Sequence, residues 1–137
     1  KGHTKIVQLL LERKEVNVNQ PGFGGSSSLW IACQQGHTEI VKILLVRKEI
    51  DVNQHSDQDV TPLIIACETG RVQIVRLLLQ RSNIDLNKKS KWGSSALDRA
   101  TQKNYHEIVH LLKEVVARES KEETEERPPA KNRCSLS

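Results

Sequence analysis

The chain has 137 residues, of which 36% are hydrophobic and 28% charged, with a formal net charge of +4. That length suits about one domain, and the charge is too mild by itself to require nucleic acid. No apolar run approaches the ~20 residues that span a bilayer, no signal-peptide pattern is visible, and four aromatics (Phe23, Trp30, Trp92, Tyr105) are too few for an aromatic core.

Taken in order, residues 1–19 read as the second half of a unit. Gly2-His3-Thr4 matches Gly36-His37-Thr38, but the helix that would precede it is missing and the chain opens on Lys1. The expectation is a fragment whose parent continues upstream, because Ile6, Leu9 and Leu10 have no neighbour on that side and a terminal repeat normally carries a polar outer face.

Residues 20–53 and 54–87 read as two complete units. Each opens on a polar turn, Pro21-Gly22-Phe23-Gly24-Gly25 and then Ser56-Asp57-Gln58-Asp59. Gly25 and Gly93 sit where a tight turn wants a positive backbone angle, and Asp59 takes that place in the middle copy. Thr61 is the predicted N-cap of a helix with Pro62 at its first position, where a missing N–H costs nothing. Leu63, Ala66 and Cys67 share one face, and Gly70 stops the helix. A second helix follows, with Ile74, Val75, Leu78 and Leu79 as its apolar stripe and Arg76 and Arg81 turned to solvent.

Residues 88–118 form the last unit, in which Ala96, Asp98 and Arg99 replace Pro62, Ile64 and Ile65. Its second helix, from Tyr105 to about Arg118, becomes polar as a capping helix would. Residues 119–137 are expected to be a disordered tail, with five glutamates followed by Pro128-Pro129.

One period runs through these units. Leu29, Leu63 and Leu97 are 34 residues apart, and Ala32, Ala66 and Ala100 keep the same step. So do Asn19, Asn53 and Asn87, and the pairs Ile40-Val41, Ile74-Val75 and Ile108-Val109. A fixed period of this length marks stacked helical repeats, each too small to bury its apolar face alone. Cys33 and Cys67 occupy one repeat position, read as small packed thiols in a reducing, cytoplasmic setting (with the nucleus also open), not as a disulfide.

The phrases resemble those of the ankyrin-repeat family. Its T-P-L-H-x-A motif is matched by Thr61-Pro62-Leu63-Ile64-Ile65-Ala66, and more loosely by Ser27-Ser28-Leu29-Trp30-Ile31-Ala32 and Ser95-Ala96-Leu97-Asp98-Arg99-Ala100. Its G-H-x-E-I-V motif is matched by Gly36-His37-Thr38-Glu39-Ile40-Val41. The resemblance spans residues 1–117 and implies an all-α solenoid of stacked helix-turn-helix units joined by hairpin-like loops. Two departures stand out: a period of 34 where 33 is usual, and replacement of the motif's His in all three copies, which is expected to remove a loop hydrogen bond.

What the resemblance implies about function is a module that binds another protein on a concave face of turns and first helices. Its contact positions fall on Pro21, Phe23, Gly24, Ser26, Gln34 and Gln35 in the first complete unit. In the next they fall on His55, Asp57, Gln58, Val60, Glu68 and Thr69. In the last they fall on Lys89, Lys91, Trp92, Ser94, Gln102 and Lys103. Phe23 and Trp92 are the expected anchors, since aromatics dominate interface energies.

Other chemistries compete with this one. His106-Glu107-Ile108-Val109-His110 fits H-E-x-x-H, the zinc motif with two ligands on one helical face. Register argues against it, because Glu107 is the counterpart of Glu39 and the histidines fall at variable positions. A third fixed ligand is also missing, so no metal and no cofactor are expected. Cys134-Ser135-Leu136-Ser137 fits C-a-a-X, which implies farnesylation at Cys134 and membrane association only on that condition. Lys88-Lys89-Ser90-Lys91-Trp92 offers an anion or nucleic-acid contact, but the preceding turn is acidic and breaks any basic track. No nucleophile triad or phosphate loop is present, so no catalysis is expected of these residues.

Overall fold

The computed structural model describes residues 18–126, leaving aside the side chains of Phe23 and of residues 119–126. Among the described residues there are six α-helices in three pairs and no strand. The pairs are α1 (Ser28–Gln35) with α2 (Thr38–Val46), α3 (Pro62–Glu68) with α4 (Val72–Leu79), and α5 (Ala96–Gln102) with α6 (His106–Glu126). The first helices α1, α3 and α5 pack on one another in order, and α2, α4 and α6 form a second layer behind them. Helices of seven to nine residues, as the first five are, would not persist alone in water; burial between neighbours supplies what propensity cannot.

The repeated positions make the core. Leu29, Val41, Leu63, Ala66, Ile74, Val75, Ala100 and Ile108 are all buried. Thr61 accepts a hydrogen bond from the Ile64 N–H and Pro62 follows it, as the sequence predicts; Ser27 and Ser95 cap α1 and α5 in the same way. Cys33 and Cys67 are free and buried, and burial pushes both thiols up to about 12.

Each helix pair is preceded by the same hairpin-like loop. The N–H of Gly22, Ser56 and Ser90 donates to the carbonyl four residues on, and the N–H of Gly25, Asp59 and Gly93 donates back to the carbonyl three residues before. Closing that turn requires a positive φ at its third step, which is 74° at Gly25, 63° at Asp59 and 81° at Gly93. Successive loops are tied through main chain, Asp57 N–H to the Gly24 carbonyl at 2.9 Å and Lys91 N–H to the Gln58 carbonyl at 2.8 Å.

Three expectations are corrected. Helix α6 does not end near Arg118 but runs to Glu126. The glutamate-rich stretch from Glu119 to Glu126 cannot bury a core, yet six of its eight residues (five Glu and Lys121) are good helix formers, and extending a nucleated helix needs propensity alone. Arg81 is not left to solvent: its Nη1 donates to the Leu45 carbonyl of the preceding unit at 2.6 Å. Replacing the motif's His does not cost the first copy a loop bond either, because Trp30 Nε1 donates to the Val60 carbonyl at 2.8 Å. Residues 1–17 and 127–137, which include most of the partial first unit and Cys134, lie outside the described residues.

Candidate functional site: the turn and first-helix face

Each loop projects two corner residues, because its inner side is filled by its own hydrogen bonds. In the second and third loops a buried serine does this work. Ser56 Oγ accepts from the Gln58 and Val60 N–H groups, and Ser90 Oγ from those of Trp92 and Ser94. The corners are thereby pinned from inside while their side chains point out. They are Asp57 and Gln58 in one loop and Lys91 and Trp92 in the next, all exposed, with Trp92 70% exposed. Phe23 and Gly24 hold the corner of the first loop, within a short 3-10 turn (Phe23–Gly25).

Behind the corners lie two adjoining depressions. One, of about 280 Å³, is lined by Val60, Ile64, Glu68, Ser90, Trp92, Ser94 and Arg99. The other, of about 380 Å³, runs towards the first loop past Ser26, Trp30, Asp57, Gln58 and Ile65. Val60, Glu68 and Trp92 border both. The large indole surface is thus left in water at the meeting point of two hollows, an exposed apolar surface of the kind that marks an interaction site.

The seam between the second and third units is closed by charge. Arg99 Nη2 lies 2.9 Å from Glu68 Oε2, and Arg99 Nη1 donates to Gln102 Oε1 at 2.7 Å. Beside it Asp98 and Ser95 form a reciprocal cap: Ser95 N–H donates to Asp98 Oδ2, and Asp98 N–H donates to Ser95 Oγ. The Ser95 backbone N–H, then its hydroxyl, hold the Asp98 carboxyl below its ordinary range.

The expected contact positions divide. Gln35, Asp57, Gln58, Lys89, Lys91, Trp92, Gln102 and Lys103 are exposed on this face. Val60 is a correction: it is 7% exposed and serves the core, while its carbonyl anchors Trp30. Glu68 is half-buried and already paired. The Thr69 hydroxyl donates to the Ile65 carbonyl within its own helix end, and the Gln34 carbonyl accepts from the Arg71 guanidinium of the next unit, which ties the two units together. The Phe23 side chain is outside the described set. Sequence reasoning passed over Arg99; its replacement of an apolar residue at a repeat position was the available signal.

The zinc-like motif is drawn into structural contacts. Glu107 Oε2 lies 2.7 Å from Arg76 of the preceding unit, and His110 Nε2 lies 3.1 Å from Glu114 Oε2, all at exposed positions. Among the described residues no three His, Cys, Asp or Glu side chains are grouped to hold a metal ion.

Paired short helices, hairpin-like loops and cross-unit bonding at a fixed step define a helical repeat solenoid. A family model for ankyrin repeats (3 copies) matches residues 1–56 and 46–121, and the chain belongs to the ankyrin-repeat family. Repeats of this family serve in general as protein-binding modules. No curated protein matches the chain.

Proposed function

We infer that this chain is an interaction module that docks a protein partner on the face made by its turns and first helices. The observation that carries the reading is Trp92, 70% exposed at a turn corner held from within by Ser90 Oγ, and bordering both depressions. A rigid, solvent-facing indole loses little conformational freedom on binding and buries a large apolar area, which is why such residues act as hot spots. The work assigned to these residues is recognition and not catalysis, and the proposed setting is cytoplasmic, supported by the two unpaired buried thiols.

The test is site-specific photocrosslinking in cells. A photoreactive phenylalanine placed at Trp92 should yield discrete protein adducts, whereas the same group at Val46, 80% exposed at the end of α2, should not. Equal adducts at both positions, or none at position 92, would overturn the reading. With a partner in hand, Trp92→Ala should cost about 2 kcal/mol, or roughly 30-fold in Kd, with Tm unchanged.

A further inference from the structure

The charges on the docking face are arranged unevenly along the stack. Residues 20–35 carry none; residues 54–69 carry Asp57, Asp59 and Glu68 with no Lys or Arg; residues 88–103 carry Lys88, Lys89, Lys91, Arg99 and Lys103 against Asp98 alone. Folding sets the acidic and basic groups side by side, since the main chains of the two loops are bonded, Lys91 N–H to Gln58 carbonyl. The seam is neutralised internally by Glu68 and Arg99. What remains for a ligand is Asp57 and Asp59 on one loop and Lys89 and Lys91 on the next, beside the hollow walled by Val60, Ile64 and Trp92; Lys89 also acts on the Asp98 carboxylate, while Lys91 is exposed at the loop corner. His55 Nδ1 lies 3.4 Å from Asp59 Oδ1 and 3.0 Å from the Ser56 carbonyl.

We propose that this groove binds a polypeptide segment in which an apolar residue is flanked by a basic residue on one side and an acidic residue on the other. The inference rests on the protein-docking reading above and adds the partner's chemistry. The apolar side chain enters the hollow against Trp92, the base faces Asp57 and Asp59, and the acid faces Lys89 and Lys91. Neighbouring units are spaced by about 8–10 Å, the ordinary distance between packed helices, and an extended chain covers that in about three residues. Base, apolar residue and acid therefore fall within a window of about five residues. A uniformly acidic or uniformly basic segment meets repulsion from one half of the groove.

Four fluorescein-labelled peptides with a central Leu test this by anisotropy: Lys-flanked on one side and Glu-flanked on the other, Glu-flanked on both, Lys-flanked on both, and Ser-flanked. The mixed peptide should bind at least about fivefold tighter than the others at low salt, the gap closing as salt screens it over a Debye length of about 8 Å. In Lys91→Glu protein, whose altered side chain is exposed and away from the Asp98 cap, preference should pass towards the Lys-flanked peptide with Tm retained. Equal binding of all four, still lost in Trp92→Ala, sinks the charge pattern while leaving protein docking intact. Binding of none, or tighter binding of a single-stranded RNA oligonucleotide, overturns the proposal outright, and the crosslinks at position 92 then judge the docking reading separately.

Discussion

Tyr105 seats its ring over Gly70, so closely that a Cβ on that glycine would lie 2.9 Å from the ring's Cζ. Arg71 covers Gly36 in the same way one unit earlier, with its guanidinium carbon 2.8 Å from such a Cβ. Gly70 also holds φ at 73°. Gly93 has a similar φ of 81° but nothing within 4 Å of where a Cβ would stand. Gly93→Ala should therefore cost only the left-handed conformational penalty, about 1–2 kcal/mol. Gly70→Ala should cost at least about 1 kcal/mol more, since the ring must shift as well. Urea denaturation of the two variants checks the difference, and equal losses would mean the roof contributes nothing.

Two of the three repeated asparagines act as clasps between units. Asn53 Nδ2 donates to the Asn83 carbonyl at 2.7 Å and its Oδ1 accepts from the Asp85 N–H at 2.8 Å; Asn19 does the same to Glu49 and Asp51. Removing two such bonds costs about 1–3 kcal/mol, so Asn53→Ala should be destabilised by that amount. Asn87, the same position in the last unit, is exposed, and Asn87→Ala should stay within about 0.5 kcal/mol. Paired denaturation curves distinguish them.

Trp30→Phe should lose the indole bond to the Val60 carbonyl. That carbonyl keeps its bond from the Ser56 N–H at 2.9 Å, so no acceptor is orphaned and the loss should be about 0.5–1.5 kcal/mol. A thermal melt reads it directly.

The reciprocal cap at Ser95 and Asp98 gives stability a pH dependence. The Asp98 carboxyl is held below its ordinary range in the fold, so the unfolded chain takes up its proton first as pH falls. The stabilisation is fully present above the unfolded pKa of about 4 and is lost as pH drops through the lower folded value. Asp98→Asn should be less stable than wild type at pH 7, with the gap narrowing below pH of about 4. A gap constant from pH 7 down into that range would remove the cap from the explanation.

Cys33 and Cys67, with thiols raised to about 12 by burial, should resist iodoacetamide at pH 8 in the folded protein and react only as it unfolds. In the unfolded chain these thiols ionise near their ordinary value of 9.0, so stability should fall as pH rises above that value. Peptide mapping of alkylated sites across a urea series tests the first point, and melts between neutral and alkaline pH test the second.

Most of the scaffold was legible in the chain. The 34-residue step identified the core, the cap at Thr61, and the turn positions that demand a positive φ, because each is set by contacts within one unit and repeated. That step also exposed His106 and His110 as substitutions at variable positions. The helical run to Glu126 is not legible in this way: a composition without apolar residues points to disorder, whereas continuation of a formed helix asks only for propensity.

Other features were decided by neighbours. Val60 reads as one more loop residue, yet it is buried and its carbonyl accepts from the Trp30 indole thirty positions away. Glu68 reads as a free acid, yet Arg99 holds it across the seam; Glu107 reads as the repeat's own acid, the counterpart of Glu39, and Arg76 of the preceding unit holds it. By itself the sequence determined which residues repeat, hence the fold and the family. Only the tertiary structure decided which unrepeated residues are consumed in joining one unit to the next, because those partners lie about one period away and no single unit contains both. Once they are set aside, Trp92 and the opposed charges of Asp57, Asp59, Lys89 and Lys91 are what the stack presents to a partner.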